Sequence, residues 1–193
     1  WFGCQDTAGS YPNKLIIQTA QDGVGNKGIV RSANVINDGA WHYGGWVYDG
    51  SANTVSLYLD GAFQGASTTA FTGSFNVANP ICIGSYGTNC NGKLDNGGAY
   101  EADAVFDDAR VYNRALSAGE IKALYNQGVS KLNKTPTNIL TSGLVGHWTF
   151  DGKNVVNGVA LDSSENGNNG NLVNIATSTF YSAGKIGQGF NFD

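Results

Sequence analysis

Apolar side chains alternate with polar ones through much of this chain. Val55, Leu57 and Leu59 are spaced two apart, with Ser56 and Tyr58 between them. A period of two places successive side chains on opposite faces of a strand, so such runs predict half-buried β-strands. Residues 15–20 (LIIQTA), 28–36 (GIVRSANVI), 41–49 (WHYGGWVYD), 54–66 (TVSLYLDGAFQGA), 71–84 (FTGSFNVANPICIG) and 103–112 (DAVFDDARVY) share this character. They are enriched in β-branched and aromatic residues and separated by Gly, Asn, Asp and Ser. Within 54–66, Asp60-Gly61 is a dipeptide suited to a type I′ turn, so this segment predicts a hairpin. Further strands are predicted at 144–150 (LVGHWTF), 170–175 (GNLVNI) and 187–193 (GQGFNFD), with a polar loop at 162–170 (DSSENGNNG).

One stretch follows a helical period instead. Ile121, Leu124 and Tyr125 fall on one face, and Ser117 with Glu120 three residues later has the spacing of a capping box. Gly128 is suited to a C′ position, so the pattern predicts a short helix over 117–127. Residues 129–142 (VSKLNKTPTNILTS) have no period, are mostly polar and contain a proline, and are read as a linker. The fold class expected is all-β: a two-sheet antiparallel jelly-roll sandwich with one short helix.

Composition narrows the partners. Charged residues make up 13% of the 193 residues, about half the usual share of roughly 25%. Lys and Arg total 11 and are scattered, and the formal net charge is −4, so no basic stripe exists for a phosphate backbone and no nucleic-acid partner is expected. No apolar run approaches the roughly 18–20 residues that span a bilayer, so no membrane insertion is expected. Met is absent and the first residue is Trp1, so the chain is expected to begin within a longer product. Low charge, an Asn/Thr/Ser-rich surface and three cysteines fit an extracellular or cell-surface location. A Cys82–Cys90 disulfide would close a small loop and contribute on the order of 2–3 kcal/mol; Cys4–Cys90 is the other pairing considered, and one thiol is left over.

Several segments together resemble the bacterial laminin-G-like members of the concanavalin A-like lectin/glucanase superfamily. They are Trp41-His42-Tyr43-Gly44-Gly45-Trp46-Val47-Tyr48-Asp49-Gly50, Val55-Ser56-Leu57-Tyr58-Leu59-Asp60-Gly61 and Phe106-Asp107-Asp108-Ala109-Arg110-Val111-Tyr112-Asn113-Arg114-Ala115-Leu116-Ser117. From the other end of the family pattern come Gly143-Leu144-Val145-Gly146-His147-Trp148-Thr149-Phe150-Asp151, the Asp162–Gly170 loop and Gly184–Asp193. The order is inverted relative to the family, whose closing motif (106–117 here) follows its opening motifs. By this resemblance, residues 1–128 are the C-terminal two-thirds of one jelly roll and 143–193 the N-terminal third of another. The tail is expected to complete either its own chain or a neighbouring copy, the second case giving a ring or fibre by strand exchange. An unpaired sheet edge is the least favourable alternative.

The resemblance implies a non-catalytic structural or adhesion module, with a carbohydrate-binding lectin-like module as the alternative and a glycoside hydrolase third. Glu101 and Asp103 share a strand face, but the third acid of laminarinase-type sites is replaced by Phe106, so no catalytic residues are assigned. The family also suggests a structural Ca²⁺ near the polar loop. Asp162, Ser164, Asn166 and Asn168 alternate oxygen-bearing side chains, and Asp107 or Asp108 would share the ion. The competing reading of the loop is an Asn/Gly turn that caps its own backbone. For carbohydrate, exposed tyrosines near turns are the candidates: Tyr43, Tyr86 and Tyr100, with Tyr11 and Tyr181 behind them. Trp41, Trp148, Phe150 and Phe192 are expected in the core, and Trp46 is placed there in preference to an exposed platform.

Overall fold

The computed structural model describes residues 2–4, 13–21, 25–68, 81–84, 104–129, 141–173 and 181–192. The strand predicted at 71–84 falls mostly outside these residues, and its described end, 81–84, is not strand. The expected linker lies outside them over 130–140. The rest is mainly antiparallel strand with one helix, in two compact units.

The first unit contains residues 1–75 and 114–135. Strands β1 (Phe2–Cys4), β2 (Lys14–Gln21) and β3 (Gly25–Val35) form one antiparallel sheet in that order. Strands β4 (Gly44–Asp49), β5 (Thr54–Leu59) and β6 (Ala62–Thr68) form a second. Leu15, Ile17 and Val30 from the first meet Val55, Leu57 and Leu59 from the second, and Ile36 and Tyr48 pack against the cluster. The period-two pattern of β5 is thus the reason these two sheets face each other. Leu57 has no solvent exposure.

The β5–β6 hairpin turns at Asp60 (φ +52°) and Gly61 (φ +74°), the left-handed pair that a type I′ turn requires. A Cβ at Gly61 would come within 3.0 Å of the Tyr125 ring, so glycine is needed there for space as well as for conformation. Tyr125 lies on helix α1 (Ala118–Val129), which runs two residues beyond the predicted end because Gly128 sits inside its last turn rather than after it. The capping box forms: the Glu120 amide donates to Ser117 Oγ at 3.3 Å, and Glu120 Oε2 accepts from the Ser117 amide at 2.8 Å. Arg114 grips the same carboxylate at 2.7 and 3.1 Å.

The second unit contains residues 76–113 and 136–193. Strands β7 (Ala104–Phe106) and β8 (Ala109–Tyr112) come from its early piece. The late piece supplies β9 (Leu144–Trp148), a 3₁₀ turn at Gly152–Asn154, β10 (Val155–Val156), β11 (Val159–Ala160), β12 (Gly170–Asn171), β13 (Tyr181–Ala183) and β14 (Gln188–Phe192). The two pieces are joined by sheet pairing. β14 pairs antiparallel with β7 (Phe190 opposite Phe106, Asn191 opposite Val105, Phe192 opposite Ala104), and β9 pairs antiparallel with β8 (Ala109 opposite Trp148, Val111 opposite Gly146). Phe150, Ala160 and Phe190 form the core, with Ile83, Phe106, Ala109, Trp148, Val155, Leu172 and Phe192 around it. Phe106 meets Phe192 edge-on at 5.2 Å. Strand β12 is the start of the strand predicted at 170–175, of which 172–173 are not strand and 174–175 lie outside the described residues, whereas β10, β11 and β13 have no counterpart in the sequence pattern, because runs of two or three residues carry no periodicity.

Trp148 and Phe192 are half-buried and Phe150 is buried. Trp41 and Trp46 depart from expectation, at 38% and 46% exposed. Trp46 stands opposite Leu57, on the same sheet face as the core, but at the β4 margin of that sheet. Leu57→Ala removes a fully buried side chain and is expected to lower stability by about 2–5 kcal/mol in denaturant unfolding. Trp46→Ala, at the exposed margin, is expected to cost far less in the same measurement.

Candidate functional site

Both histidines are tied to aspartates, and in each pair the aspartate takes the left-handed conformation. In the first unit, His42 Nδ1 lies 2.8 Å from Asp60 Oδ2 and its Nε2 lies 3.0 Å from Asp38 Oδ1. Asp60 also accepts from the Tyr43 amide and donates its own amide to Tyr43 O, both involving the hairpin turn. The Asp60 hydrogen bond, aided by Asp38, raises the His42 pKa above its ordinary value, although burial opposes the shift. In the second unit, His147 Nε2 bonds Asp108 Oδ1, and Asp108 (φ +55°) also takes the Arg110 guanidinium through both oxygens. These rings therefore anchor loops to strands, with both nitrogens of His42 already engaged.

The loop at 162–170 assembles all four predicted oxygen-bearing residues, but around hydrogen bonds. Asp162 accepts backbone N–H groups from His147, Ser164 and Asn168 at 2.8–2.9 Å, and the Ser164 hydroxyl lies 2.8 Å from its Oδ2. Burial alone would raise its pKa; the donors from His147, Ser164 and Asn168 instead hold it at about 2. Asn166 Nδ2 donates to Leu144 O and Asn168 Nδ2 donates to Val145 O, both at 2.9 Å. The amides thus turn N–H groups toward strand β9 because its carbonyls demand donors. Trp148 folds over Gly146, where a Cβ would meet its ring at 2.4 Å, and its Nε1 reaches Asn168 O at 3.0 Å. In this arrangement the four side chains cap the loop's own backbone and tie it to β9.

Asp107 is different. Its Oδ2 accepts from the Ile186 amide at 2.7 Å, but its Oδ1 is buried without a hydrogen-bond partner, as is Ser182 Oγ. Burial pushes its pKa up, more than the Ile186 N–H offsets, and the charges of Asp108 and Asp151 push the same way. Asp151 in turn accepts from the Gln188 amide at 2.8 Å. Asp107 is thus the one residue of the predicted calcium set with a buried, unpartnered oxygen that fits a hard cation. Asp108 is occupied by His147 and Arg110. Among the described residues, no group of three or more His, Cys, Asp or Glu side chains is placed to hold a metal ion.

Of the predicted ligand-binding rings, Tyr43 is half-buried, with its ring 6.4 Å from Tyr125 of α1 and beside Gly45. Tyr86 and Tyr100, with Glu101 and Asp103, lie outside the described residues. Tyr181 is 37% exposed and sets its ring edge-on to Phe190. Cys82 is disulfide-bonded, which sets aside the Cys4–Cys90 pairing; Cys90 and the Cys4 side chain lie outside the described residues. Trp41 and Trp46 are exposed where the sequence pattern expects core rings, and alternation carries no signal that distinguishes the two cases. Among the described residues, no helix is long and apolar enough to cross a membrane.

A family model described as the concanavalin A-like lectin/glucanases superfamily, laminin-G type, matches residues 6–122. No relative matches among curated proteins. Among solved structures, an S-layer domain-containing protein (residues 221–444) from Clostridium thermocellum ATCC 27405 is 27% identical, with a TM-score of 0.39, over 58% of this chain and 51% of that one. The chain therefore matches about half the length of that structure.

A histidine pKa raised by folding contributes stability that is full below its unfolded value near 6.5 and is lost as pH rises through the folded value. Thermal unfolding is expected to show that loss, and Asp60→Asn is expected to flatten it while lowering stability by about 1 kcal/mol. Asp162 and Glu120, both held at about 2, act at the opposite end. Their contribution is present above the ordinary carboxylate range and is lost as pH falls toward 2.

Proposed function

The chain belongs to the concanavalin A-like lectin/glucanase superfamily, and from that premise we propose that it is a non-catalytic structural or adhesion module working outside the cell or on its surface. The observation that carries this reading is how the ionisable side chains are used. Both histidines are held by aspartates, Asp162 is enclosed by backbone donors, and Glu120 is committed to Arg114 and the helix cap. General acid–base catalysis needs a carboxyl or imidazole that can exchange a proton with substrate. These groups instead fix loops to strands. The family's name includes glucanases, so the direct test is incubation with a soluble β-glucan. The expected result is no release of reducing ends. Release that disappears in Glu101→Gln would overturn the reading.

Asp107 supports a second element, a structural Ca²⁺. A buried carboxylate oxygen without a donor costs stability once ionised. Because its folded pKa is raised, that cost is absent below the ordinary carboxylate pKa and sets in as pH rises through the folded value. A hard cation at Asp107 Oδ1 would remove it, drawing its other oxygens from hydroxyls and carbonyls such as Ser182 Oγ. Calcium is expected to raise the unfolding temperature relative to the chelated protein, by an amount equivalent to about 2.7 kcal/mol at a hundredfold excess over Kd. Asp107→Asn is expected to abolish the difference. Unfolding indifferent to Ca²⁺ would contradict the proposal, and a shift that survives in Asp107→Asn but not in Asp162→Asn would move the ion to the 162–170 loop.

A further inference from the structure

The second unit is assembled from two pieces of chain that are not consecutive. Residues 76–113 and 136–193 belong to it, while 114–135 belong to the first unit. At the end of the early piece, the Asn113 amide donates to Gly143 O of the late piece at 2.9 Å. Among the described residues, the two pieces also meet along a short seam of matched groups. β14 lies on β7 and β9 on β8. The Ile186 amide donates to Asp107, His147 bonds Asp108, and Phe192 meets Phe106 edge-on. The late piece carries most of the core, including Phe150, Ala160 and Phe190, but β7 and β8 lie on the early piece.

We propose that residues 143–192 are an exchangeable closing element: the β7 and β8 edges that receive β14 and β9 from their own chain receive them equally from a second copy. Every contact in the seam is between groups that each copy possesses, so exchange preserves all of them. The closed and exchanged forms differ only in the connection through 114–142 and in concentration. A tethered fragment acts at an effective concentration on the order of millimolar, so exchange competes once copies are crowded to that level. Each copy then donates one closing element and accepts another, either reciprocally in a pair or onward in a ring or fibre. The early piece without a closing element would leave β7 and β8 with unpaired edges and half a core, so open ends are driven to find a partner. The proposal goes beyond the non-catalytic reading and is tested apart from it.

Asn191 stands opposite Val105 across the β14–β7 seam. One pool of full-length chain carries Val105→Cys and a second carries Asn191→Cys. The pools are mixed, unfolded and refolded together at increasing concentration under oxidising conditions, with wild-type chains and each pool alone as controls for the native cysteines. The expected result is a disulfide-linked heterodimer that maps to positions 105 and 191, absent from the controls and increasing with concentration. Its absence at every concentration, with a chain carrying both Val105→Cys and Asn191→Cys closing only within monomers, overturns the proposal. Light scattering of the wild-type chain provides a second readout that does not depend on the new cysteines. Mass that rises with concentration is expected, and a monomer throughout overturns the proposal even if neither variant forms a disulfide.

Discussion

The backbone pairing of β7 with β14 and of β8 with β9 is the constraint on which the second unit depends. A strand of three or four residues has too little side-chain surface to persist alone. β7 and β8 are strands of that length, and their order comes from partners that lie far along the chain. Once the ladders form, Phe190 and Phe192 are placed against Phe150 and Phe106, and the aromatic core closes over the seam. The first unit has a core of its own. Its core is built within residues 15–59, where the local hairpin and facing strands bring six aliphatic side chains together.

The polar chemistry serves the same end. Asp60 and Asp108 both adopt positive φ, a conformation that costs a non-glycine residue about 1 kcal/mol or more. Each offsets that cost by binding a histidine on another segment, His42 in one unit and His147 in the other. Asp162 acts likewise, collecting amides from His147, Ser164 and Asn168 so that a nine-residue glycine- and asparagine-rich loop has a fixed shape. Asp107 stands apart, since burial leaves one of its oxygens without a donor.

Legibility in the sequence followed the range of the interactions. The hairpin at Asp60-Gly61 and the Ser117–Glu120 cap are local devices with residue preferences of their own, and both form where the pattern places them. The helix runs past its predicted end, with Gly128 inside the last turn at a cost of about 1 kcal/mol relative to alanine, because the C′ preference of glycine is only a local tendency. The exposure of Trp41 and Trp46 is not legible, because alternation reports which face a side chain points to and not how far burial extends across that face. The oxygen-rich loop was legible as a cluster, but its sequence is equally compatible with binding a cation or capping a turn. The need of the Leu144 and Val145 carbonyls for donors decides which role Asn166 and Asn168 take, and that need exists only in the folded chain.

The central claim is that the tail pairs with residues 104–112. Nuclear Overhauser effects between strands test it most directly, in uniformly labelled full-length protein. The account predicts cross-strand contacts between Val105 and Asn191 and between Val111 and Gly146, with the amides of β7 and β8 protected from solvent exchange. Amides at 104–112 that exchange as freely as in an unstructured peptide, while 144–192 pairs only within itself, would contradict it.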